Sequence, residues 1–185
     1  MTGFYFTFLA VLLAGLGARD QVTVAGLTLR QGARPGVLAV GIVVSVATAA
    51  AAAWAASLIA PTLPPAARQF LAAVALALAG GEALLLSPRG KPKEPTHSLG
   101  AFGIVILSQQ LTDAARFLVF AMAVATNAPL PAGVGGAVGG IVLIGAGWLA
   151  PEYVTRPLLR RLRRVIGGMM LLAGVILGLE AIYFP

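Results

Sequence analysis

Long apolar runs separated by short polar segments dominate this sequence. The runs fall at 3–29, 35–60, 66–87, 99–126, 131–150 and 165–184. Each is close to the ~20 residues that an α-helix needs to cross the hydrocarbon core of a bilayer. We therefore predict an all-α, polytopic membrane protein with six transmembrane helices, in which residues 1–185 form a single membrane domain.

Composition supports a membrane protein, and the lack of catalytic motifs argues against an enzyme. Hydrophobic residues make up 59% of the chain and charged residues 10%, whereas soluble domains have about 45–50% and about 25%. The chain contains no cysteine, which excludes disulfides and thiolate metal sites. The sequence shows no Ser-His-Asp set, phosphate-binding loop or cluster of metal ligands, so we expect neither catalysis nor a bound cofactor.

The formal net charge of +7 comes from basic residues concentrated between the apolar runs. Ten of the thirteen lie in the first, third and fifth loops: Arg30, Arg34, Arg89, Lys91, Lys93, Arg156, Arg160, Arg161, Arg163 and Arg164. The positive-inside rule then makes the odd-numbered loops cytoplasmic and places both termini outside the cytoplasm, with the protein in the inner membrane. These residues would orient the chain, anchor it and contact membrane lipid, and we expect no nucleic-acid partner.

The apolar runs also divide into two halves of three. Repeat one covers 1–88, a basic loop covers 88–98, and repeat two covers 99–185. Because three is odd, the second half must enter the membrane inverted relative to the first. Two inverted three-helix repeats with polar elements at matching positions are typical of secondary transporters, whose solute site lies between the repeats.

Polar residues interrupt the first helix of each half. They are Arg19, Asp20, Gln21 and Thr23 in helix one and Gln109, Gln110, Thr112, Asp113 and Arg116 in helix four. A charge at the bilayer centre costs roughly 2.5 kcal/mol or more, so such residues need partners, an aqueous cavity or a bound solute. In a continuous helix four, spacings of three and four would align one polar stripe that consists of Gln109, Thr112, Asp113 and Arg116. We expect Asp20 to face Arg116 and Arg19 to face Asp113.

Other polar and small residues receive structural interpretations. Glu82 and Glu180 lie toward helix ends, where we expect interfacial positions. The run from Arg160 to Arg164 is interpreted as a cytoplasmic anchor. Glycines such as Gly135 and Gly145 in helix five favour close packing of helices.

The segments AGLGARDQ at 14–21 and SQQLTDAA at 108–115 resemble the paired motif of the Gdt-type cation/proton exchangers. These are six-helix manganese and calcium transporters of the lysine-exporter superfamily, with a Glu-apolar-Gly-Asp-Lys/Arg-Ser/Thr motif in helices one and four of two inverted repeats. Leu16, Gly17 and Arg19 match the first copy, and Leu111 and Asp113 match the second. Of the four motif acids, only Asp113 stands in place.

The resemblance implies a secondary transporter, an antiporter that exchanges a manganese- or calcium-type cation for protons between helices one and four. Asp113 would be the principal ion ligand, including for a metal, or the proton carrier, and Asp20 the second acid. The neutral oxygens would come from Gln109, Gln110, Thr112 and Thr23, and the counter-charges from Arg19 and Arg116.

Two other interpretations of the same residues stay open. Two aspartates and two arginines leave the interrupted segments with no net charge, which suits an anion or a zwitterion better than a divalent metal. A closed network of these charges would instead fix only the packing, as in a non-transporting paralogue that serves as a scaffold. The oligomeric state is left open by the sequence.

Overall fold

The computed structural model describes residues 2–86 and 97–183. Within these ranges the regular structure is helical, with one 3-10 turn at Ala60–Thr62. The α-helices are α1 (Thr2–Gly15), α2 (Arg19–Gln31), α3 (Pro35–Ile59), α4 (Pro65–Leu85), α5 (Leu99–Leu111), α6 (Ala114–Ala125), α7 (Pro129–Leu149), α8 (Pro151–Val154) and α9 (Pro157–Tyr183). The all-α prediction is confirmed for these ranges, whereas Arg89, Lys91 and Lys93 of the predicted basic loop lie outside them.

Four of the described helices are long and apolar enough to cross a membrane individually. They are α3 continued by the 3-10 turn, α4, α7 and α9. The pairs α1–α2 and α5–α6 meet the same criterion together, but the first pair is bent by 58° and the second by 53°. The described residues therefore provide four spans, or six if each bent pair forms one span.

The outer surface of the helices has the character expected of a membrane protein. Large apolar side chains are exposed on several of the long helices, among them Val43, Leu78, Ile104 and Leu172. A soluble protein rarely exposes so many large apolar side chains, because their contact with water is unfavourable. This surface is suited to contact with lipid tails.

A glycine produces the first bend. Gly17, between α1 and α2, has a φ of +67°, a left-handed conformation that is costly for any residue with a Cβ atom. Ala18 follows with extended backbone and precedes the first residue of α2. Helix one was predicted to be continuous, and this is wrong, because it is interrupted at Gly17.

An aspartate cap produces the second bend. α5 ends at Leu111, and Asp113 has extended backbone at the start of α6, where its side chain accepts a hydrogen bond from the Ala115 amide. An N-cap aspartate stabilises the start of a helix by accepting from an amide that has no partner within the helix. The predicted polar stripe along a continuous helix four is wrong, because the helix restarts at this point.

The packing of the helices brings the two bends close to each other. α7 contacts α1, α2, α3 and α6, and α4 packs along α9. These approaches are close: a Cβ atom on Gly80 would overlap the backbone of Leu171, and one on Gly135 would overlap the Phe4 carbonyl. The packing role predicted for the helix-five glycines is confirmed at Gly135, whereas Gly145 has no neighbour within 4 Å of its Cβ position.

The last helix is longer than predicted. α9 begins at Pro157 rather than at residue 165, so the run from Arg160 to Arg164 lies in its first turns. Proline is favoured at a first helical position because it has no amide hydrogen to satisfy there. One arginine of this run, Arg163, turns into the protein and is only 3% exposed.

Candidate functional site at the two bends

Arg19 connects the first bend to the second. Its Nη2 atom donates a hydrogen bond of 2.9 Å to the carbonyl oxygen of Thr112, and the same atom lies 3.5 Å from Oε1 of Glu82 on α4. The predicted pair of Arg19 with Asp113 does not form within the described residues. The Asp113 carboxylate instead caps its own helix, and Glu82 takes its place beside the guanidinium.

Side chains satisfy the backbone groups that the first bend leaves without helical partners. The Gly17 amide donates to Oε1 of Gln21 at 2.6 Å, and Nε2 of Gln21 donates to the Leu143 carbonyl at 3.1 Å. The Gly17 carbonyl accepts from Nη1 of Arg163 at 3.0 Å. Within a bilayer such groups must be satisfied inside the protein, so Gln21 and Arg163 stabilise the bend.

Arg163 also corrects the interpretation of the basic run. Its Nη1 atom lies 3.4 Å from the Leu86 carbonyl at the end of α4, whereas Arg160 and Arg161 are exposed, as an anchoring role requires. Arg161 lies two positions from Arg163 in α9, and this spacing places it on a different face of the helix. Arg163 therefore belongs to the bend rather than to the anchor.

Two carboxylates lie at the second bend. Oε2 of Glu82 accepts a hydrogen bond of 2.9 Å from the Ala114 amide, and the Asp113 side chain accepts from the Ala115 amide at 3.4 Å. Negative groups at a helix N-terminus are stabilised by its unpaired amides and its dipole. The Glu82 side chain turns into the protein rather than outward, since it is only 12% exposed and connects α4, α2 and α6.

Asp20 belongs to a buried chain of hydrogen bonds. Its Oδ2 atom accepts from Nε2 of Gln110 at 3.0 Å, and its Oδ1 atom accepts from the Gln21 amide at 2.7 Å. The Thr48 hydroxyl on α3 lies 2.9 Å from Oε1 of Gln110, to which it can donate. Gln110 is fully buried, so this chain fixes α2, α3 and α5 relative to one another.

Among the neutral residues predicted for the site, Thr23 and Gln109 bind each other, whereas the side chain of Thr112 is exposed. The Thr23 hydroxyl donates to the Arg19 carbonyl at 2.7 Å and can therefore accept from Nε2 of Gln109 at 3.1 Å. Thr112 is exposed, and its hydroxyl donates to the Ser108 carbonyl at 2.9 Å. Thr112 thus contributes its own carbonyl to the site, as the acceptor of the Arg19 guanidinium.

Arg116 has fewer partners than a buried guanidinium normally requires. It is 7% exposed, and its Nη2 atom donates to the Ser45 hydroxyl at 2.7 Å. Its Nε and Nη1 atoms are buried and have no hydrogen-bond partner among the described residues. The expected ion pair with Asp20 does not form there, because Gln110 occupies that carboxylate, although Asp20 and Asp113 are near enough to interact with Arg116 electrostatically.

A cavity of about 320 Å³ lies beside Arg116, between α3 and the second bend. Thr48, Asp113 and Arg116 provide its polar lining, and Leu111 and Phe117 contribute apolar walls. The cavity therefore presents one carboxylate and one guanidinium, which do not pair with each other within the described residues.

The donor set of the site differs from that of a typical divalent-cation site. Among the described residues, no group of three or more histidine, cysteine, aspartate or glutamate side chains lies close enough to hold a metal ion. Manganese and calcium favour several carboxylate or carbonyl oxygens, and a guanidinium nearby repels them. The role of Asp113 as a metal ligand stays a prediction.

Sequence reasoning missed Ser45, Thr48, Glu82 and Arg163. Ser45 and Thr48 are polar residues three apart within the apolar run of α3, and this spacing places both on one helical face. Glu82 is an acid inside an apolar helix, a position that is usually functional. These signals were present, but each required knowledge of which helices pack together.

Comparison of the chain with protein families, curated proteins and solved structures finds no match. The resemblance to the Gdt-type exchangers therefore stays a prediction from its two motifs.

Proposed function

We propose that this protein is a secondary transporter of the inner membrane that binds a small charged solute between its two bent helix pairs. The observation that carries the proposal is the cavity at the second bend, which is lined by the carboxylate of Asp113 and the incompletely satisfied guanidinium of Arg116. Interrupted helices with buried charges are the usual elements of a transporter site.

Part of the helix packing supports six spans in two inverted repeats, although α4 packs on α6 without comparable packing of α9 on α2 among the described residues. If α1–α2 corresponds to α5–α6, α3 to α7 and α4 to α9, then the packing of α1 and α2 on α7 has its counterpart in the packing of α5 and α6 on α3. The pairs α3–α7 and α4–α9 are their own counterparts. With the positive-inside rule, this arrangement keeps both termini outside the cytoplasm.

The incomplete hydrogen bonding of Arg116 favours transport over a purely structural role. A closed network would satisfy every buried donor, since an unsatisfied donor costs about 1–3 kcal/mol and more when it is charged. Two nitrogen atoms of Arg116 remain without a described partner. A solute that supplies the missing acceptors makes this arrangement favourable, whereas a scaffold gains nothing from it.

The net charge of the site indicates which kind of solute it can bind. Its buried or part-buried charged residues are Asp20, Glu82, Asp113, Arg19, Arg116 and Arg163. Three acids and three arginines sum to zero. The resemblance favours a manganese- or calcium-type cation exchanged for protons, whereas this neutral balance favours a solute that brings no net charge.

Reconstitution into liposomes tests transport directly. Purified protein is incorporated into vesicles, and uptake of manganese, calcium, propionate and L-alanine is followed together with internal pH. We expect flux of at least one of these solutes with the native chain and a loss of that flux with Asp113→Asn. Native protein that is folded but moves none of them, like empty vesicles, would refute the proposal.

A further inference from the structure

Resting on the proposed function, we propose that the cavity at the second bend binds a small zwitterion, with its carboxylate on Arg116 and its ammonium group on Asp113. Both residues have hydrogen-bonding capacity that the described residues do not use. The two residues lie at opposite ends of the first turn of one helix and line the same cavity.

Arg116 provides the anion subsite. Its Nε and Nη1 atoms each carry a hydrogen without a described acceptor, and the guanidinium is more than nine-tenths buried. Guanidinium and carboxylate groups are geometrically matched, and their hydrogen bonds are stronger than those between neutral groups. These nitrogen atoms are closed off from solvent, so a carboxylate in the cavity would accept from them once the Arg116 side chain shifts towards it.

Asp113 provides the cation subsite. The hydrogen bond described for its carboxylate is the long cap contact to the Ala115 amide, at 3.4 Å, so it can accept further bonds. An ammonium group supplies three donors. Asp20 and Glu82 are near enough to repel the Asp113 carboxylate. An aliphatic ammonium group bound to Asp113 would offset this repulsion.

The absence of a described ion pair between Asp113 and Arg116 is central to this inference. Two opposite charges that line one cavity without pairing match a ligand that carries both charges itself. Ligand pockets in proteins usually span about 300–1,000 Å³, so the cavity of about 320 Å³ suits a small molecule. Leu111 and Phe117 leave an apolar wall for an aliphatic portion of the ligand.

Ligands with a single charge fit less well. A divalent cation that approaches Asp113 meets the fixed positive charge of Arg116, and a simple anion that approaches Arg116 meets the carboxylate of Asp113. A zwitterion avoids both repulsions and adds no net charge to a site in a low-dielectric environment, where uncompensated charge is costly. The same reasoning predicts how the ligand preference changes when one residue is neutralised.

Thermal unfolding and equilibrium binding of the full chain in detergent test the inference with matched probes. L-alanine, β-alanine and glycine betaine are zwitterions with different charge separations, whereas propionate and ethylammonium each keep one charge of L-alanine. We expect at least one zwitterion to raise the melting temperature and to bind at least about ten-fold more tightly than either singly charged probe, since each charged hydrogen bond contributes strongly. No response to any of the three zwitterions would overturn the inference.

Variants separate the two subsites from a general loss of folding. Arg116→Gln should weaken zwitterion binding about ten-fold or more, and Asp113→Asn should do the same while allowing propionate to bind. Ala52→Leu should block binding by filling the cavity without a change in charge, with Ala50→Leu, outside the lining of this cavity, as the control. Unchanged zwitterion affinity in both Asp113→Asn and Ala52→Leu would contradict the assignment even if Arg116→Gln fails to fold.

The outcome for the solute is distinguishable from the outcome for transport. Zwitterion binding without flux in liposomes would support this site and refute the proposed transport. Manganese flux without a response to any zwitterion would support transport and overturn the inference about the solute.

Discussion

Replacement of Glu82 by glutamine should destabilise the protein by about 2 kcal/mol. The substitution keeps an acceptor oxygen for the Ala114 amide but removes the negative charge. A hydrogen bond to a charged group contributes about 1.5–3 kcal/mol and a neutral one about 0.5–1.5 kcal/mol, so the bond loses about 1 kcal/mol. Loss of charge at the start of α6 costs about 0.3–1 kcal/mol more.

The pair with Arg19 adds a smaller contribution. The Arg19 side chain is 33% exposed, and its Nη2 atom lies 3.5 Å from Oε1 of Glu82. Exposed ion pairs typically contribute about 0.2–1 kcal/mol, and we take the lower half of that range because of this exposure. The three effects together give the predicted loss of about 2 kcal/mol.

Titration with sodium dodecyl sulfate in mixed micelles, followed by the fluorescence of the two tryptophans, measures the free energy of unfolding. Glu180→Gln is the matched control, because Glu180 is exposed near the end of α9 and should change stability by less than about 0.5 kcal/mol. Equal losses in the two variants would refute the reasoning, since they would show that burial and the contacts of Glu82 do not matter.

Three further substitutions test the bends and the cavity. Gly140→Ala should weaken ligand binding about ten-fold, because the added Cβ atom would overlap the Ser45 hydroxyl that accepts from Arg116. A binding titration measures this effect. The control is Gly145→Ala, whose added Cβ atom meets nothing within 4 Å. Gly17→Ala should destabilise the protein by about 1–2 kcal/mol in the same detergent titration because of its positive φ. Arg163→Met should cost about 2–3 kcal/mol by leaving a buried carbonyl without its donor, whereas the exposed Arg161→Met should cost less than about 0.5 kcal/mol.

Each of these has a clear opposing result. If Gly145→Ala weakens binding as much as Gly140→Ala, then α7 tolerates no added methyl group, and the contact with Ser45 is not the cause of the loss. A Gly17→Ala variant with native stability would mean that the first bend does not need its left-handed residue. Equal stability of the Arg163 and Arg161 variants would remove the proposed support of the bend.

The membrane-helix character of the protein and the two polar interruptions at which its helices bend could be predicted, because both depend on local sequence. Apolar runs of spanning length indicate membrane helices, and polar residues within them indicate the sites of strain and charge. Asp113 before two alanines is also a typical helix start. The apolar residues on both sides of Asp113 nevertheless led to the prediction of one continuous helix, because their combined length is sufficient to span a membrane.

The partners of the charged residues could not be predicted in the same way. Helical periodicity shows which residues of one helix share a face, but it does not show which other helix that face meets. Glu82 lies 63 residues from Arg19 in the sequence, and Arg163 lies 146 residues from Gly17. Only the packing of α4 and α9 near the bends brings these pairs together, and each satisfies a group that the bend exposes.

The two bends differ in the groups that stabilise them. The first depends on the left-handed backbone of Gly17 and on Gln21 and Arg163, which bind the backbone groups of that residue. The second depends on carboxylates that accept from the amides at the start of α6, and a bound cation or proton competes for those same oxygens. A cation or proton bound to Asp113 or Glu82 would therefore weaken the hydrogen bonds that hold the start of α6.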